Sequence, residues 1–88
     1  MSLEIEYKML NNKLVAYYHQ EEVGECEYLI EDGVLNIIHT GVKENMRGQK
    51  IAKRLVTKVI EYAKNNNLKV IATCSYAEKI LNNKTKAL

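Results

Sequence analysis

The chain has 88 residues, 13 of them Lys or Arg and 11 Asp or Glu, and it contains no Pro, Trp or Phe. This length predicts a single domain over residues 1–88, near the lower limit for a core without disulfides or metals. No apolar run approaches membrane-spanning length, and the N-terminus lacks the basic-then-apolar layout of a signal peptide. Cys26 and Cys74 are too far apart to suggest a disulfide framework, so we expect a cytoplasmic protein.

Charge is divided unevenly along the chain. Residues 1–35 hold eight acidic and two basic side chains, whereas residues 36–88 hold three acidic and eleven basic ones. A strongly cationic second part favours an anionic ligand there. Nucleic acid is the less expected partner, because the aromatic side chains that stack on bases are not concentrated in the basic part.

Alternating polar and apolar side chains predict strands in the first part of the chain. The expected order is a strand over Leu3–Met9, a turn at Asn11-Asn12, a strand over Lys13–His19, a connection at Glu21–Gly24 and a strand over Glu25–Ile30. Asp32-Gly33 is a strong hairpin signal before the next strand, Val34–Val42. These segments predict an antiparallel meander.

Helical periodicity follows the meander, with an apolar arc of about 140°. That arc is formed by Ile51, Ala52, Leu55, Val56, Val59, Tyr62 and Ala63. The helix should end at Asn65–Asn67, since Asn tolerates the left-handed cap conformation. A short buried strand, Leu68–Thr73, then returns parallel to Val34–Val42 through a crossover. Ser75 and Glu78 form a capping box for a last helix through about Asn82, which gives an α+β fold overall.

The turn before the long helix gathers basic side chains and a glycine: Lys43, Arg47, Gly48, Lys50, Lys53 and Arg54. The helix macrodipole disfavours cations at a helix start, so their presence there needs another reason. Free backbone N–H groups, a glycine and several cations together suit a phosphate or pyrophosphate. We therefore expect a bound polyanion at this helix start, the alternative being a solvated basic face.

Three other residues have both a chemical and a structural interpretation. Cys74 precedes the predicted capping box, where the helix dipole can lower a thiol pKa, but it also suits a small buried residue at a strand end. His39 lies on the strand before the basic turn, and a lone histidine on a strand is more often structural than catalytic. Tyr76 is either a proton donor or a core residue.

The stretch Arg47-Gly48-Gln49-Lys50-Ile51-Ala52 resembles the Arg/Gln-x-x-Gly-x-Gly/Ala motif with which GCN5-related N-acetyltransferases (GNATs) hold the pyrophosphate of acetyl-CoA. With His39-Thr40-Gly41-Val42 and Cys74-Ser75-Tyr76 in the same order, it makes the chain from about Lys13 onward similar to the minimal YjdJ-like subfamily. Three features depart from that pattern: Lys50 replaces a glycine, Ser75 stands where proline is common, and no His-Pro-Glu-Tyr-like ending occurs near Lys84. The Lys50 side chain would either obstruct the backbone or pair with a phosphate.

The resemblance implies a small GNAT-like fold and an acetyl-CoA-dependent N-acetyltransferase, with acetyl-CoA or CoA as co-substrate and no metal. Backbone groups of Thr40, Gly41 and Val42 would hold the pantetheine arm as an extra strand-like partner. Arg47, Lys50 and Lys53 would supply countercharge to the pyrophosphate. The backbone N–H groups that bind it would come from Arg47, Gly48, Gln49, Lys50, Ile51 and Ala52.

The resemblance also places the thioester between the end of the His39–Val42 strand and Cys74. His39 would act as general base toward an amine or would activate Cys74. Cys74 would accept the acetyl group or merely line the thiol site. The connection expected at Glu21–Gly24 is too short for the helices with which full-length members hold the acceptor, so an open acceptor site, or one completed by a partner chain, is expected.

Two alternatives stand beside an acetyltransferase acting on an unidentified amine. One is a CoA-binding module with little or no catalysis. The other is a small α+β interaction domain whose basic face meets acidic protein or RNA. CoA binding separates the first two functions from the third, and acetyl turnover separates the first from the second.

Overall fold

The computed structural model describes residues 4–86, and side chains are described for residues 4–82. The elements within this range are β1 (Glu6–Leu10), β2 (Lys13–Tyr18), β3 (Glu21–Glu31), β4 (Val34–Val42), a short 3-10 helix (Glu44–Met46), α1 (Ile51–Asn65), β5 (Lys69–Ala72) and α2 (Ser75–Lys86). Leu3, where the first predicted strand begins, lies outside the described residues. No helix in the described range is long and apolar enough to cross a membrane.

The five described strands form one sheet whose order follows the chain, β1-β2-β3-β4-β5. The first four are antiparallel to their neighbours, and β5 is parallel to β4. Because the β4–β5 connection contains α1, the second half is a β-α-β crossover. The predicted α+β class, meander and crossover are confirmed.

Two of the described hairpins turn through a pair of consecutive residues that both have positive φ. Asp32 and Gly33 have φ of 51° and 77°, as the predicted hairpin requires. His19 and Gln20, with φ of 51° and 67°, make an equally tight turn without Asn or Gly. β3 therefore starts at Glu21, and the prediction of a connection at Glu21–Gly24 was wrong, since this segment is the first part of the strand.

The apolar arc of α1 builds the core on one face of the sheet. Its buried side chains are Ile51, Leu55, Val56, Val59, Ile60 and Ala63. They pack against inward-facing residues of the sheet such as Cys26 and Leu35, and against Ala77 and Ile80 of α2. Burial of each large apolar side chain contributes about 1.5–3 kcal/mol. Because both helices share this core, no helix covers the opposite face of the sheet within the described residues.

The sequence predicted the end of α1 correctly but not the start of α2. α1 ends at Asn65, and Asn67 adopts the left-handed conformation (φ 58°), as predicted. At the start of α2, the N–H of Glu78 donates to the carbonyl of Cys74 over 2.9 Å, so Ser75 is already inside the first turn. The predicted Ser75–Glu78 capping box was wrong by one residue, because Cys74 occupies the cap position. α2 also continues to Lys86, past the predicted end.

Candidate active site

β4 and β5 separate at the C-terminal end of β4. Their parallel pairing runs from Val34 opposite Lys69 to Ile37 opposite Ala72 and stops there. Beyond Ile37, β4 remains paired with β3 alone among the described strands. Apart from the Thr40 backbone, which hydrogen-bonds to the Cys74 sulfur, the backbone groups along its other edge are therefore available to an extended ligand.

A cleft with a volume of about 470 Å³ joins this free edge to the start of α1. It is lined by Thr40, Gly41, Val42, Met46, Arg47, Gly48, Lys50, Ile51, Ala52 and Tyr76. All of these except Met46 and Tyr76 carry a predicted role in CoA binding. Gln49 and Lys53 do not line this cleft, and Lys53 instead borders a second cavity along α1 beside Lys50 and Arg54.

The turn into α1 leaves backbone donors free. No side chain caps the helix, and its first turn contains no acidic residue. The first helical hydrogen bond runs from the N–H of Arg54 to the carbonyl of Lys50 over 3.1 Å. The N–H groups of Ile51, Ala52 and Lys53 precede it and have no partner within the helix. Free donors of this kind, beside cationic side chains, form an anion site.

The conformation of Lys50 gives a reason for the glycine at this position of the family motif. Lys50 has φ 63° and ψ 21°, which is the left-handed helical region. Glycine adopts it freely, whereas a residue with a side chain pays about 1–2 kcal/mol. Gly48 also has a positive φ, of 86°. The Lys50 departure therefore strains the turn.

A bulge in β4 decides which side chains face the core. Glu27 pairs with His39 and Tyr28 with Ile37, so Ile38 is an extra residue without a partner across the strand. Ile37 is buried against the helices, and after the extra residue Thr40 faces the same side. With regular alternation His39 would have faced the helices. Instead it is exposed on the opposite face.

His39 lines a different cavity, of about 360 Å³, together with Glu21, Glu22, Val23, Gly24, Glu25, Gly41 and Lys43. Lys43 is paired with Glu21 over 2.8 Å. Gly41 lines both this cavity and the cleft, so a residue without a side chain separates them. The structure does not bring His39 and Cys74 together, and Thr40 is the residue of β4 that reaches the thiol.

Donors surround the sulfur of Cys74. Its thiol lies 3.8 Å from Oγ1 of Thr40. Burial acts to raise the pKa of the Cys74 thiol, but hydrogen bonds from the backbone of Ala77, from the Thr40 hydroxyl and from the backbone of Tyr76 and Thr40 leave that pKa below its ordinary value. This is the cap position of α2, where a thiolate is favoured.

The other thiol differs in both burial and ionisation. Cys26 is fully buried. That burial raises the pKa of Cys26 to about 11. Both cysteines are free thiols.

Among the residues that the structure describes, no group of three His, Cys, Asp or Glu side chains is arranged to hold a metal ion.

Comparison with known proteins gives the family. The sequence profile described as GCN5-related N-acetyl-transferase matches residues 13–87. The chain therefore belongs to the GCN5-related N-acetyltransferases, the family that its motifs resemble. The family is one of N-acetyltransferases. No curated protein matches the sequence.

Solved structures share the fold. A GCN5-like protein from Staphylococcus aureus is 35% identical, over 92% of this chain and 81% of its own, with a TM-score of 0.72. PaiA N-acetyltransferase from Thermoplasma acidophilum, solved in complex with coenzyme A, is 20% identical over 64% of this chain and 35% of its own (TM-score 0.61). Ribosomal-protein-alanine N-acetyltransferase from Brucella melitensis is 23% identical over 70% of this chain and 48% of its own (TM-score 0.60). The chain thus spans less than half of these last two proteins, which share its fold.

Proposed function

We propose that the chain binds acetyl-CoA in the cleft and transfers its acetyl group to an amine. The observation that carries this proposal is that one cleft joins the free edge of β4 to the uncapped start of α1. A pantetheine arm needs backbone partners along an extended segment, which Thr40–Val42 offers. A pyrophosphate needs N–H donors, which the first turn of α1 offers.

Basic side chains would supply the countercharge. Arg47 and Lys50 line the cleft, and Lys53 lies in the first turn of α1. None of these three forms an ion pair with another described residue, so their charges are available to phosphates. This accounts for cations at a helix start where the dipole alone would disfavour them.

The thioester would lie at the end of the cleft bounded by Gly41 and Tyr76. In direct transfer the amine nitrogen attacks the acetyl carbonyl, the C–S bond breaks and CoA leaves as a thiolate that takes up a proton. Tyr76, which is 41% exposed and lines the cleft, is the candidate donor of that proton. In transfer through Cys74, its thiolate would attack the acetyl carbonyl and CoA would leave as a thiolate. The amine would then attack the acetyl-cysteine, so that the acetyl group passes to the nitrogen and the Cys74 thiolate is released.

The amine would approach from the opposite face of the sheet. The cavity around His39 and the cleft share Gly41 in their linings, so a nitrogen bound in that cavity would approach the acetyl group past a residue without a side chain. His39 would accept the proton that the amine loses. Glu22 and Glu25, which line the same cavity, favour an acceptor that carries positive charge.

The outer face of the sheet, opposite the two helices, provides the observation that favours the alternative function, a CoA-binding module with little or no catalysis. No described helix packs on that face to hold an acceptor. Such a module would bind CoA through the same cleft. It would differ only in the absence of turnover.

A thermal-shift screen with CoA, acetyl-CoA, ATP and short RNA tests the binding step. A ligand at 100 times its Kd adds about 2.7 kcal/mol, which raises the Tm of so small a domain by more than about 5 °C. CoA and acetyl-CoA should do so and RNA should not. The same samples are then assayed for free CoA released in the presence of diamines and lysine peptides. Stabilisation without release would favour the module, and no stabilisation at millimolar CoA would remove both functions.

A further inference from the structure

The hydroxyl of Thr40 lies between the two thiols of the chain. Cys74 donates to Oγ1 of Thr40 over 3.8 Å. That hydroxyl in turn donates to Sγ of Cys26, also over 3.8 Å. One side chain of β4 therefore links the half-buried thiol at the start of α2 to the fully buried thiol of β3.

A hydroxyl has one proton, so it donates to one sulfur at a time. With Cys74 as a thiol, the chain of donors runs from Cys74 through Thr40 to Cys26. When Cys74 loses its proton its sulfur can only accept. The Thr40 proton must then turn toward Cys74, and Cys26 becomes the donor to the Thr40 oxygen. Hydrogen bonds to a charged acceptor are stronger than neutral ones, so the reversed direction favours the thiolate.

We propose that Thr40 and Cys26 form a hydrogen-bond relay that stabilises the thiolate of Cys74 and fixes the position of its sulfur. Thr40 is then a positioning residue, and Cys26 holds the Thr40 hydroxyl in the donating orientation. The inference gives Cys74 its place in the proposed acetyl transfer. The relay itself needs no ligand, so it can be tested without acetyl-CoA.

Hydrogen bonds outweigh charges in the surroundings of Cys74. β3 presents Cys26, and the charged side chains Glu25 and Glu27 of that strand alternate with it toward the other face. β4 presents Thr40, because the bulge at Ile38 sends His39 to the opposite face. The side of α1 that packs in the core is apolar. α2 carries Tyr76 and Glu78, and of these two only Tyr76 acts on the thiol, through its backbone N–H.

The relay also gives a reason for the β4 bulge. If Ile38 were paired in regular alternation instead of bulged, the side chain of His39 would occupy the helix-facing position and Thr40 would point away from both sulfurs. The bulge therefore places a hydroxyl between the thiols and leaves the imidazole on the acceptor side.

The relay is tested by the pH dependence of iodoacetamide alkylation at Cys74 in the ligand-free chain, with the labelled site read by mass spectrometry. Thr40→Val keeps the shape but removes the hydroxyl, so alkylation at pH 7 should slow by about tenfold, the loss of one hydrogen bond to a charged group. Thr40→Ser keeps the hydroxyl and should retain the original profile. Cys26→Ala removes the second donor and should give an intermediate rate.

Thr73→Val is the matched control. Thr73 adjoins Cys74 but bonds to Oδ1 of Asn36, so its substitution should leave the profile unchanged. An unchanged profile in Thr40→Val, or equal slowing in Thr40→Val and Thr40→Ser, would overturn the relay. If circular dichroism shows that Thr40→Val is unfolded, the test rests on Cys26→Ala. Alkylation of Cys74 at the original rate in that variant would overturn the relay.

The relay and the proposed function fail in different ways. Loss of the predicted alkylation differences, with CoA still stabilising the chain, would reject the relay alone. If the variants differ in alkylation rate as predicted but CoA does not stabilise the chain, the proposed function alone would be rejected.

Discussion

The Nε2 atom of His39 lies 3.2 Å from the point that a Cβ atom would occupy at residue 41, where the chain has glycine. The imidazole thus covers Gly41, the one residue in the described part of the chain that lines both the cleft and the outer cavity. In the proposed reaction this places a base beside the amine, while Cys74 and Thr40 stay on the helix side. The two faces of the sheet would then serve acceptor and acetyl donor separately.

His39→Gln should lower acetyl turnover by about 100-fold or more, the usual effect of losing a general base. It should leave the CoA-induced rise in Tm intact, because His39 does not line the cleft. His19→Gln is the control, since His19 is exposed at the β2–β3 turn and stacks on Tyr18 with ring centroids 4.1 Å apart. Full turnover in His39→Gln would remove its role as base.

Gly48→Asp should abolish CoA binding by placing a carboxylate beside the phosphates. Gly33→Asp is matched to it, because both glycines have positive φ (86° and 77°) and nothing lies within 4 Å of either added Cβ. The two variants should lose similar stability from backbone strain, about 1 kcal/mol each. Titration calorimetry with CoA separates them, and equal affinity in the two variants would place the phosphates elsewhere.

Lys50→Gly and Lys50→Ala separate the charge of Lys50 from its backbone strain. Both remove the ammonium, so both should weaken CoA binding and reduce its salt dependence if that ammonium pairs with a phosphate. Only glycine relieves the left-handed conformation, so Lys50→Gly should be more stable than Lys50→Ala by about 1 kcal/mol, or about 4–8 °C in Tm. Tighter CoA binding in both variants would mean that the side chain obstructs the site.

Iodoacetamide at neutral pH should label Cys74 and not Cys26. The lowered pKa of Cys74 keeps a thiolate present as the pH falls below the ordinary cysteine range, and labelling should slow only as the pH falls through that lowered pKa. Cys26, with a pKa of about 11, stays protonated and buried. Bound CoA should protect Cys74. If both thiols are labelled equally, with or without CoA, Cys74 is only a packing residue.

Cys74→Ala distinguishes the two routes of transfer. It should leave CoA affinity nearly unchanged, because the proposed pyrophosphate and pantetheine contacts remain. Turnover should fall if the acetyl group passes through the thiol. Full turnover would exclude an acetyl-cysteine intermediate and leave direct transfer with His39 as base.

Patterns of side chains predicted most of the fold. Val34–Val42 is a strand with the predicted bounds, and the apolar arc of α1 is the surface that packs in the core. The start of β3 was missed because His19-Gln20 turns the chain with two positive φ angles but lacks the Asn and Gly that usually signal this turn. Glu21 and Glu22 then look like a connection although they are the exposed start of a strand.

Most of the residues that line the cleft lie in the motifs, but the relation of the cleft to the two thiols could not be predicted from them. A one-residue bulge cannot be seen in the alternation of Asn36-Ile37-Ile38-His39, and it reverses which of His39 and Thr40 faces the helices. Sequence reasoning therefore assigned Thr40 a backbone role and overlooked its hydroxyl. It likewise placed the cap at Ser75, because serine is a common cap and cysteine is not.

Mapping of backbone amide shifts by NMR tests most directly whether CoA occupies the cleft between β4 and the start of α1. On addition of CoA to the full chain, the largest changes should fall on the amides of Gly41, Val42, Gly48, Ile51 and Ala52. Those of Asn11 and Asn12, which border a separate cavity of about 770 Å³ near Tyr62, should stay in place. Changes centred on the cavity near Tyr62, or none at millimolar CoA, would show that CoA does not bind in the cleft.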